Sequence, residues 1–398
     1  MTRRPRIAVV PPRYGDDVIG GAEAVLREMA EGLVMRGWEV EALTTCARNH
    51  YTWENELPEG MSVEGGVTVR RFPTVVSGDM AVKHELEAAL LAGAHLDITA
   101  QQTWANAGLR VPGLFDHLLD HGEEYGAVIF APYMFWTTYA CAPLVSERAV
   151  LMPCLHDEPY ARLDIYAPLF RGAADIWFLS EPERDAAERL FGSLPRHAVI
   201  GSGIHPPEAY DVDGFRTRSG VTGRFVLYAG RREGGKGWEV LLEQLDHIFA
   251  RAALPFSVVT MGVGPVHPPP AMAGRVVDLG LLPAGEMPGA FAAAAAYLQP
   301  SLMESFSRTI MEAWLAGTVV IGNGLSSVVR WHCERSGGGL LYRDEAELQA
   351  CLEFVADQPE VAARLASRGR DYVLSHYRWP AVLDTVEARL MELATCAS

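Results

Sequence analysis

Short apolar segments alternate with amphipathic stretches along nearly the whole chain. RIAVVPP opens the series, residues 22–35 carry the spacing of an amphipathic helix, and WEVEALT follows as the next apolar run. Further runs bounded by Gly or Pro read GVTVRRF, YGAVIFAP, AVLMPCL, DIWFLS and HAVIGSG. Each is short enough to be a buried strand, and helical spacing separates most of them. The alternation predicts an α/β fold in which parallel sheets are covered by helices on both faces.

The pattern is interrupted once, and a second series of the same kind follows. Residues 206–222 are polar and rich in Pro and Gly, which is typical of a linker. Beyond them lie RFVLYAG, PFSVVTMG, RVVDLG, AAYLQPS and TVVIGNG, and the chain ends in one amphipathic helix that suits either half. The predicted organisation is two α/β domains, residues 1–205 and 223–377, joined by the linker 206–222 and closed by the helix 378–398.

Length and charge narrow the class of protein. At 398 residues the chain exceeds what one ordinary hydrophobic core supports, which favours two domains. No apolar run reaches the roughly 18 residues of a membrane span, and RIAVV is too short for a signal peptide, so we expect a cytoplasmic protein. The net charge of −16 argues against nucleic acid as a partner and against a broad basic surface for anionic lipid.

Metal ligands and disulfides are not indicated by the residue spacing. The six cysteines form no C-x-x-C pair and have no zinc spacing with histidines. Free thiols in a reducing compartment are therefore expected. The acidic D-x-D pattern occurs at Asp211 and Asp213, inside the linker. We predict neither a metal site nor a bound cofactor.

The segment YAGRREGGKGWEVLLEQL holds two cations beside a glycine-rich turn. A buried strand ends, the turn follows, and a helix begins near Lys236. Exposed backbone N–H groups and the positive end of a helix favour an anion at such a turn. Arg231 and Lys236 are then placed to hold a diphosphate. An ordinary strand–turn–helix connection with basic residues on its surface is the alternative. A second glycine turn, around Gly262 and Gly264, also ends a strand.

Two acids lie in PSLMESFSRTIMEAWLAGTVVIGNG. Glu304 and Glu312 are eight residues apart, a rise of about 12 Å if the segment is helical throughout. The two carboxyl groups of a catalytic acid–base pair lie about 5–9.5 Å apart. The longer separation expected here instead suits an elongated ligand with hydroxyls at both ends. A sugar nucleotide is such a ligand. Two surface glutamates on a helix are the alternative, although Glu304 follows a strand, where function collects in parallel sheets.

The first half offers candidate residues of its own. PPRYGDDVIGGAE is not G-x-G-x-x-G, so a dinucleotide site is weakly indicated, but Gly20 and Gly21 allow a phosphate or sugar to approach the backbone. His156 and Asp157 follow a strand in CLHDEPY. A lone histidine is usually structural, yet its position at the end of a strand favours contact with a ligand.

Taken together, these segments resemble the family 4 retaining glycosyltransferases, which have the GT-B fold, over nearly the whole chain. The family's Gly-Gly turn is matched by GGAE at residues 20–23, and its G-R…K-G element by Gly230-Arg231 and Lys236-Gly237. Its most specific motif, P-S-x-x-E-x-F-x-x-x-x-x-E-A, is matched by Pro300-Ser301, Glu304, Phe306 and Glu312-Ala313. The resemblance implies two Rossmann-like domains facing across a cleft, with the last helix crossing back to the first domain.

The resemblance also implies roles for the donor residues. Arg231 and Lys236 would neutralise the diphosphate leaving group of a nucleotide sugar, and Glu312 would hold ribose hydroxyls. Glu304 and the backbone of Ser305, Phe306 and Ser307 would hold the donor hexose, which His156 would contact from the other domain. Base recognition would use backbone atoms near Leu282. The family usually has Gly at 305 and 307, so the serines here are expected to add side chains beside the sugar and to alter donor choice.

Transfer with retention at the anomeric carbon, a front-face reaction and independence of metal are likewise implied by the resemblance. The acceptor is expected on the first domain, where Trp104, Tyr133 and Trp136 supply rings with polar tips. Packing between loops and helices is the alternative for each ring. Other GT-B enzymes, a nucleotide-sugar 2-epimerase or a phosphorylase, and a non-catalytic binding subunit remain open. The residues identify neither the nucleotide base nor the hexose, the acceptor or the oligomeric state.

Overall fold

A computed structural model describes residues 4–18, 20–232 and 234–396. The chain divides into two compact units. The first comprises Met1–Gly203 together with Trp379–Ser398, and the second comprises Ile204–Arg378. The break between the units therefore falls close to the predicted one, and the last helix belongs to the first unit.

Within the described residues, the first unit contains an eight-stranded sheet in the order β10-β9-β8-β7-β1-β2-β4-β3. Its strands are β1 (Ile7–Val10), β2 (Val40–Thr45), β3 (Gly60–Glu64), β4 (Val67–Phe72), β7 (Ala127–Phe130), β8 (Ala149–Leu151), β9 (Asp175–Phe178) and β10 (His197–Val199). All neighbours run parallel except β3 and β4. A separate antiparallel pair joins β5 (Val75–Ser77) and β6 (Gly108–Arg110).

Helices cover this sheet. They are α1 (Gly21–Met35), α2 (Met80–Leu91), α3 (Ile98–Asn106), α4 (Pro112–His121), α5 (Trp136–Tyr139), α6 (Ala167–Gly172), α7 (Glu181–Phe191) and α15 (Trp379–Cys396), with 3₁₀ turns at Gly122–Glu124, Ala142–Arg148, Pro159–Arg162 and Asp164–Tyr166. The side chains of β1 are all fully buried, as expected of a central parallel strand covered on both faces.

The C-terminal helix α15 is held to the rest of the first unit by ion pairs, one of them buried. Asp175, which has no exposed surface, accepts hydrogen bonds from Arg389 and from the Trp177 indole. Arg36, the C-cap of α1, pairs with Asp384 and Glu387 of α15. Charged groups thus supplement the apolar face of α15, and the predicted return of the chain to the first domain is seen within this unit.

The second unit holds a six-stranded parallel sheet, among the described residues, in the order β13-β12-β11-β14-β15-β16. Its strands are β11 (Phe225–Ala229), β12 (Ser257–Met261), β13 (Val276–Asp278), β14 (Ala296–Gln299), β15 (Val320–Asn323) and β16 (Gly339–Tyr342). Its helices are α8 (Val212–Ser219), α9 (Trp238–Arg251), α10 (Met287–Ala293), α11 (Arg308–Leu315), α12 (Ser327–Ser336), α13 (Glu345–Asp357) and α14 (Pro359–His376), with 3₁₀ turns at Gly234–Lys236 and Pro270–Met272.

The predicted linker 206–222 differs from the structure. It contains α8, whose N-cap Asp211 accepts from the backbone of Gly214 and whose Phe215 is 1% exposed. The carbonyl of Asp211 also lies so close to Gly289 of α10 that a Cβ there would come within 2.6 Å. This segment is therefore packed into the second unit. The two apolar residues of this helix, Val212 and Phe215, were too weak a helical signal to reveal it.

The structure contains no helix, in the ranges it describes, that is long and apolar enough to cross a membrane.

Candidate active site

The strand order of the second unit reverses between β11 and β14. Loops at the carboxyl ends of these neighbours diverge, and the crevice at such a reversal is where open α/β sheets bind ligands. The loop after β11 carries Arg231 and Lys236, and the loop after β14 carries residues 300–307. Sequence segments almost 70 residues apart are thereby brought to one place.

Lys236 and Glu304 are in direct contact. The Lys236 Nζ donates to Glu304 Oε1 at 2.8 Å, with 28% of the lysine side chain and 10% of the glutamate side chain exposed. Both residues were predicted from separate motifs, one for the phosphates and one for the hexose. Their contact places a cation next to a carboxylate that can accept from hydroxyls. In a nucleotide sugar the phosphate and the hexose are likewise adjacent, because they are bonded directly to each other.

Two glycines let the turn after β11 approach its neighbours, the loop after β14 and the turn after β12. A Cβ on Gly237, where φ is +71°, would lie 2.8 Å from the carbonyl oxygen of Pro300. A Cβ on Gly262, where φ is +131°, would lie 2.1 Å from the carbonyl oxygen of Gly230. Any side chain at either position would push the two turns apart. Gly237 of the G-R…K-G element and Gly262 after β12 therefore allow close backbone packing at the site.

Hydrogen bonds to neighbouring segments hold the loop after β14 in place. The buried Ser301 hydroxyl lies within hydrogen-bond distance of the carbonyl oxygens of Gly235 and Met303, at 3.3 and 3.2 Å, and can donate to either. The Asn323 side chain, at the end of β15, donates to the carbonyl of Pro300 at 3.0 Å. The loop is thus tied to the turn that carries Lys236, which keeps the pair with Glu304 in register.

Glu304 precedes helix α11 by four residues, whereas Glu312 lies within it. The expected separation of about 12 Å, which assumed one continuous helix, therefore does not apply to these two residues. The two glutamates come from different elements, a loop and a helix, and Glu312 is half-buried. The structure brings Glu304 to Lys236 and leaves the assignment of Glu312 to ribose as a prediction.

Ser307 has the backbone conformation that glycine favours. Its φ is +67°, in the left-handed region, at the N-cap of α11. The hydroxyl accepts from the Gln299 amide, and the residue is 5% exposed. The expectation that Ser307 adds a side chain beside the sugar is therefore wrong for this residue, because the side chain turns into the protein. Ser305 is half-buried.

An aromatic cluster lies behind this loop. Phe306 is 2% exposed and meets His332 and Tyr377 edge-on at 5.1 and 4.9 Å between ring centroids. His332 Nδ1 lies 3.1 Å from the Tyr372 hydroxyl, and burial lowers the pKa of this histidine to about 3. The ring of Phe306 is therefore occupied by packing, so any contact with a donor would come from its backbone.

Sequence reasoning missed the role of Arg232, the neighbour of Arg231. Arg231 is half-buried, while Arg232 is 4% exposed and pairs with Asp278 at the end of β13. Leu282, predicted near the base, is half-buried in the loop that follows β13. Nothing in the sequence distinguishes Arg232 from its neighbour Arg231, so the interior position of Arg232 was not predicted.

The Gly-Gly turn of the first unit lies after β1, next to the reversal between β1 and β7. Gly20 is the N-cap of α1 and Gly21 its first residue. A Cβ on Gly20 would come within 2.1 Å of the Glu23 carboxylate. Glu23 is held in place by Arg13, whose Nη2 donates at 2.6 Å in a buried pair. The turn is thus shaped around a buried ion pair as well as around a helix end.

His156 lies beside a buried carboxylate. Its Nδ1 is 3.8 Å from Glu158 Oε1, and the Tyr133 hydroxyl donates to the same oxygen at 2.9 Å. Glu158 is 9% exposed, whereas Asp157 is exposed and pairs with Arg162. The sequence-predicted histidine is therefore joined to Tyr133 through Glu158, a residue that was not singled out.

The predicted acceptor aromatics are mostly interior. Tyr133 is 1% exposed and packs edge-on against Tyr166 at 4.8 Å, and burial strongly raises its pKa. Trp104 is 5% exposed and stacks on Tyr160 at 5.3 Å. In both cases the packing alternative fits this structure, because each ring already has aromatic partners. Trp136, at the start of α5, is half-buried.

The protein has two lysines, Lys83 and Lys236, beside 32 arginines. Lys83 donates to the carbonyls of Trp104 and Ala107 at 3.2 and 2.7 Å, and burial lowers its pKa. Lys236 is thus the lysine placed at the site. An ammonium is a compact point charge with rotatable donors, unlike the planar guanidinium. Over the described ranges, no group of three or more His, Cys, Asp or Glu could hold a metal. The thiols of Cys46, Cys141, Cys154, Cys333 and Cys351 are free.

Comparison with known proteins identifies the class of this chain. Residues 223–357 match the family model described as Glycosyl transferases group 1. D-inositol 3-phosphate glycosyltransferase of Frankia alni is 27% identical over 386 residues, covering 89% of this chain and 90% of that one.

Solved structures show the same fold along the whole chain. A sucrose-phosphate synthase from Thermosynechococcus elongatus has a TM-score of 0.74 at 17% identity, covering 99% of this chain and 100% of that one. Anabaena Alr3699/HepE in complex with UDP and glucose has a TM-score of 0.72 at 15% identity, covering 98% and 100%. The resemblance drawn from the motifs is confirmed: residues 223–357 of the second unit match the glycosyl transferases group 1 model, and the chain is a glycosyltransferase with the GT-B fold.

Proposed function

We propose that this glycosyltransferase moves a hexose from a nucleoside diphosphate sugar to a hydroxyl of a sugar, glycan or natural-product acceptor, with retention at the anomeric carbon. The contact between Lys236 and Glu304 carries the proposal. The lysine offers a charge for the diphosphate, and the adjacent carboxylate offers an acceptor for hexose hydroxyls. The two groups are adjacent on the protein, as the phosphate and the hexose are adjacent in the donor.

The main catalytic task is stabilisation of the charge that develops on the leaving diphosphate. Arg231, Lys236 and the backbone N–H groups of the turn before α9 supply fixed positive charge and dipoles, which need no reorganisation during the reaction. The bond from the anomeric carbon to the phosphate oxygen breaks, and a bond to the acceptor oxygen forms on the same face. The acceptor proton passes to the departing phosphate oxygen, so no dedicated base is assigned. Glu312 would hold the ribose hydroxyls.

The acceptor is proposed to bind the first unit. The loop after β8 presents Asp157, an exposed carboxylate that can accept from an acceptor hydroxyl. The relative from Frankia alni is named for an inositol phosphate acceptor. A polyol or sugar, free or phosphorylated, is accordingly the first acceptor class to assay with this protein.

One assay separates this proposal from its rivals. Donor consumption is measured with and without acceptor, in the presence of EDTA, for a panel of nucleotide sugars. A transferase consumes donor rapidly only with acceptor. An epimerase converts the donor without acceptor, and a binding subunit consumes none. Loss of activity in EDTA that Mg²⁺ or Mn²⁺ restores would contradict the metal-independent mechanism.

Lys236→Ala should lower turnover about 100- to 1,000-fold, comparable to the loss of one preorganised donor in an oxyanion hole. Arg343→Ala is the matched control, because it removes an exposed cation of the same unit that pairs with Glu347. Steady-state kinetics on both folded variants decides the matter. Near-normal turnover of Lys236→Ala would remove the lysine from the mechanism.

A further inference from the structure

Gln299 and Ser307 lie on either side of the loop that carries Glu304. Gln299 is the last residue of β14, and Ser307 is the N-cap of α11. The Gln299 amide nitrogen donates to the Ser307 hydroxyl, and the two residues are 4% and 5% exposed. The same nitrogen lies 3.4 Å from the Thr309 hydroxyl, in the first turn of α11. A buried hydrogen bond therefore joins the residue before the loop 300–306 to the residue after it.

The backbone of Ser307 needs support from its surroundings. Its φ of +67° is in the left-handed region, where the Cβ crowds the following carbonyl oxygen, so residues other than glycine rarely adopt it. On one side Phe306 is packed into the aromatic cluster behind the loop, and on the other side α11 begins at Arg308. Such a conformation persists only where neighbouring contacts impose it. The hydrogen bond from Gln299 is one such contact.

The Ser307 hydroxyl does not cap its own helix. A serine at an N-cap usually accepts a hydrogen bond from a backbone N–H of the first turn. In the part of the chain that the structure describes, Ser307 makes no side-chain cap hydrogen bond. Its oxygen instead accepts from Gln299. The pairing with the amide has therefore replaced helix capping as the role of this hydroxyl.

The same buried polar network reaches the strand before the lysine turn. The Tyr297 hydroxyl lies 2.8 Å from the Thr309 hydroxyl and 3.3 Å from the carbonyl oxygen of Ala229, and it can donate to either. Ala229 is the last residue of β11, and the turn that carries Lys236 follows it. Hydrogen-bonding side chains thus connect the ends of β11 and β14 with the start of α11.

We propose that Gln299 is a positioning residue: acting through Ser307, it holds the end of the loop 300–306 so that Glu304 stays against Lys236. The start of the loop is tied separately to the turn after β11 and to β15. Without the amide, the serine leaves the left-handed region and the end of the loop moves with it. The consequence for the donor rests on the proposed function, whereas the position of the loop is testable without a ligand.

The position of the loop is read from Lys236 by NMR. The chain has two lysines, Lys83 and Lys236, so a protein labelled with carbon-13 in lysine gives two Cε signals from lysine side chains. The signal of Lys236 is assigned by its absence in Lys236→Arg, and Glu304→Gln gives its position when the ion pair is lost. Gln299→Leu should move the Lys236 signal toward that position and leave the Lys83 signal in place.

A glycine at position 307 should rescue the loss of the amide. Glycine adopts a positive φ without support, so Gln299→Leu/Ser307→Gly should return the Lys236 signal toward its wild-type position. If the Gln299 hydrogen bond only stabilised the unit in general, removing the hydroxyl as well would bring no recovery. Rescue by the second substitution therefore separates positioning from a purely structural role.

Kinetics tests the consequence for the donor, with UDP-glucose, GDP-mannose and ADP-glucose as probes. If the competent loop is populated in about a tenth of Gln299→Leu molecules, the donor KM rises about tenfold, equivalent to 1.4 kcal/mol. The kcat at saturating donor should be largely retained, because bound donor selects the competent loop. Gln299→Leu/Ser307→Gly should lower the KM again relative to Gln299→Leu.

Thr318→Val is the matched control. Thr318 is 3% exposed, and its hydroxyl donates to the carbonyl of Phe291 at 2.6 Å. It lies before β15, at the opposite end of the same sheet, so its loss should leave the Lys236 signal and the donor KM unchanged. Thermal melting checks that each variant folds. If Gln299→Leu does not fold, Ser307→Ala, which removes the acceptor and keeps the Cβ, is compared with Ser307→Gly instead.

The outcomes distinguish the positioning role from the proposed function. A wild type that neither binds nor consumes any of the three nucleotide sugars would count against the proposed function, while the Lys236 signal still tests the position of the loop. An unmoved Lys236 signal in folded Gln299→Leu would overturn the positioning role. A shifted signal that glycine at position 307 does not restore would also overturn it, because the effect would then not act through Ser307.

Discussion

Acid should weaken the second unit through His332. The residue has no exposed surface, and its pKa is lowered from 6.5 to about 3, chiefly by burial, with the Arg335 charge adding to the effect. His332 faces the hydroxyl of Tyr372 and the rings of Phe306 and Tyr377. Protonation would place an uncompensated charge among these groups, directly behind the loop that carries Glu304.

The sign and size follow from linkage. Because the folded pKa is the lower one, the unfolded chain takes up the proton first as the pH falls below 6.5. The contribution to stability is complete above pH 6.5 and is lost as the pH falls toward 3. Each pH unit inside this window costs about 1.4 kcal/mol. Lowering the pH from 7.5 to 5.0 should therefore remove about 2 kcal/mol through this one residue.

Native-state hydrogen exchange of amides in α11 and α12 reports the opening of the second unit in the intact chain. It is measured at pH 7.5, 6.0 and 5.0 for the wild type and for His332→Asn, whose amide keeps a polar partner for Tyr372. His267→Gln is the control, because His267 is exposed in the same unit. The stability gap between wild type and His332→Asn should narrow by about 2 kcal/mol across this range. A gap that stays constant with pH would refute the reasoning.

Two other substitutions test the first unit. Arg389→Gln should lower the stability of the first unit by about 3–5 kcal/mol, because it removes one partner of the buried Asp175 carboxylate that holds α15 in place. Thermal melting should show a large drop in Tm. The control Arg364→Gln, on the exposed surface of α14, should leave the Tm unchanged. Glu158→Gln should slow transfer several-fold, since the Glu158 carboxylate lies 3.8 Å from His156 Nδ1 and accepts a hydrogen bond from the Tyr133 hydroxyl. Glu147→Gln removes an exposed acid as its control, and an unchanged rate for Glu158→Gln would leave that carboxylate a purely structural role.

The order of strands and helices could be read from the sequence because buried parallel strands are continuous apolar runs. β1, β7, β11 and β14 were each predicted this way. β3 was not, because residues 60–64 form an exposed edge strand with no buried face to impose alternation. Helix α8 was taken for linker because Phe215 is its one buried side chain. Local pattern thus revealed elements with a large buried face and missed those that a few contacts hold.

Motif spacing likewise indicated the candidate site residues. A glycine turn before a helix and an acid after a strand are local features, so the sequence alone reveals them. Their partners were decided by tertiary structure alone. The pairing of Lys236 with Glu304 depends on β11 and β14 being neighbours in the sheet. The interior direction of Arg232, the occupied rings of Tyr133 and Trp104 and the inward hydroxyl of Ser307 depend on what packs against them. Burial and pairing are properties of the folded chain, because they are set by residues distant in sequence.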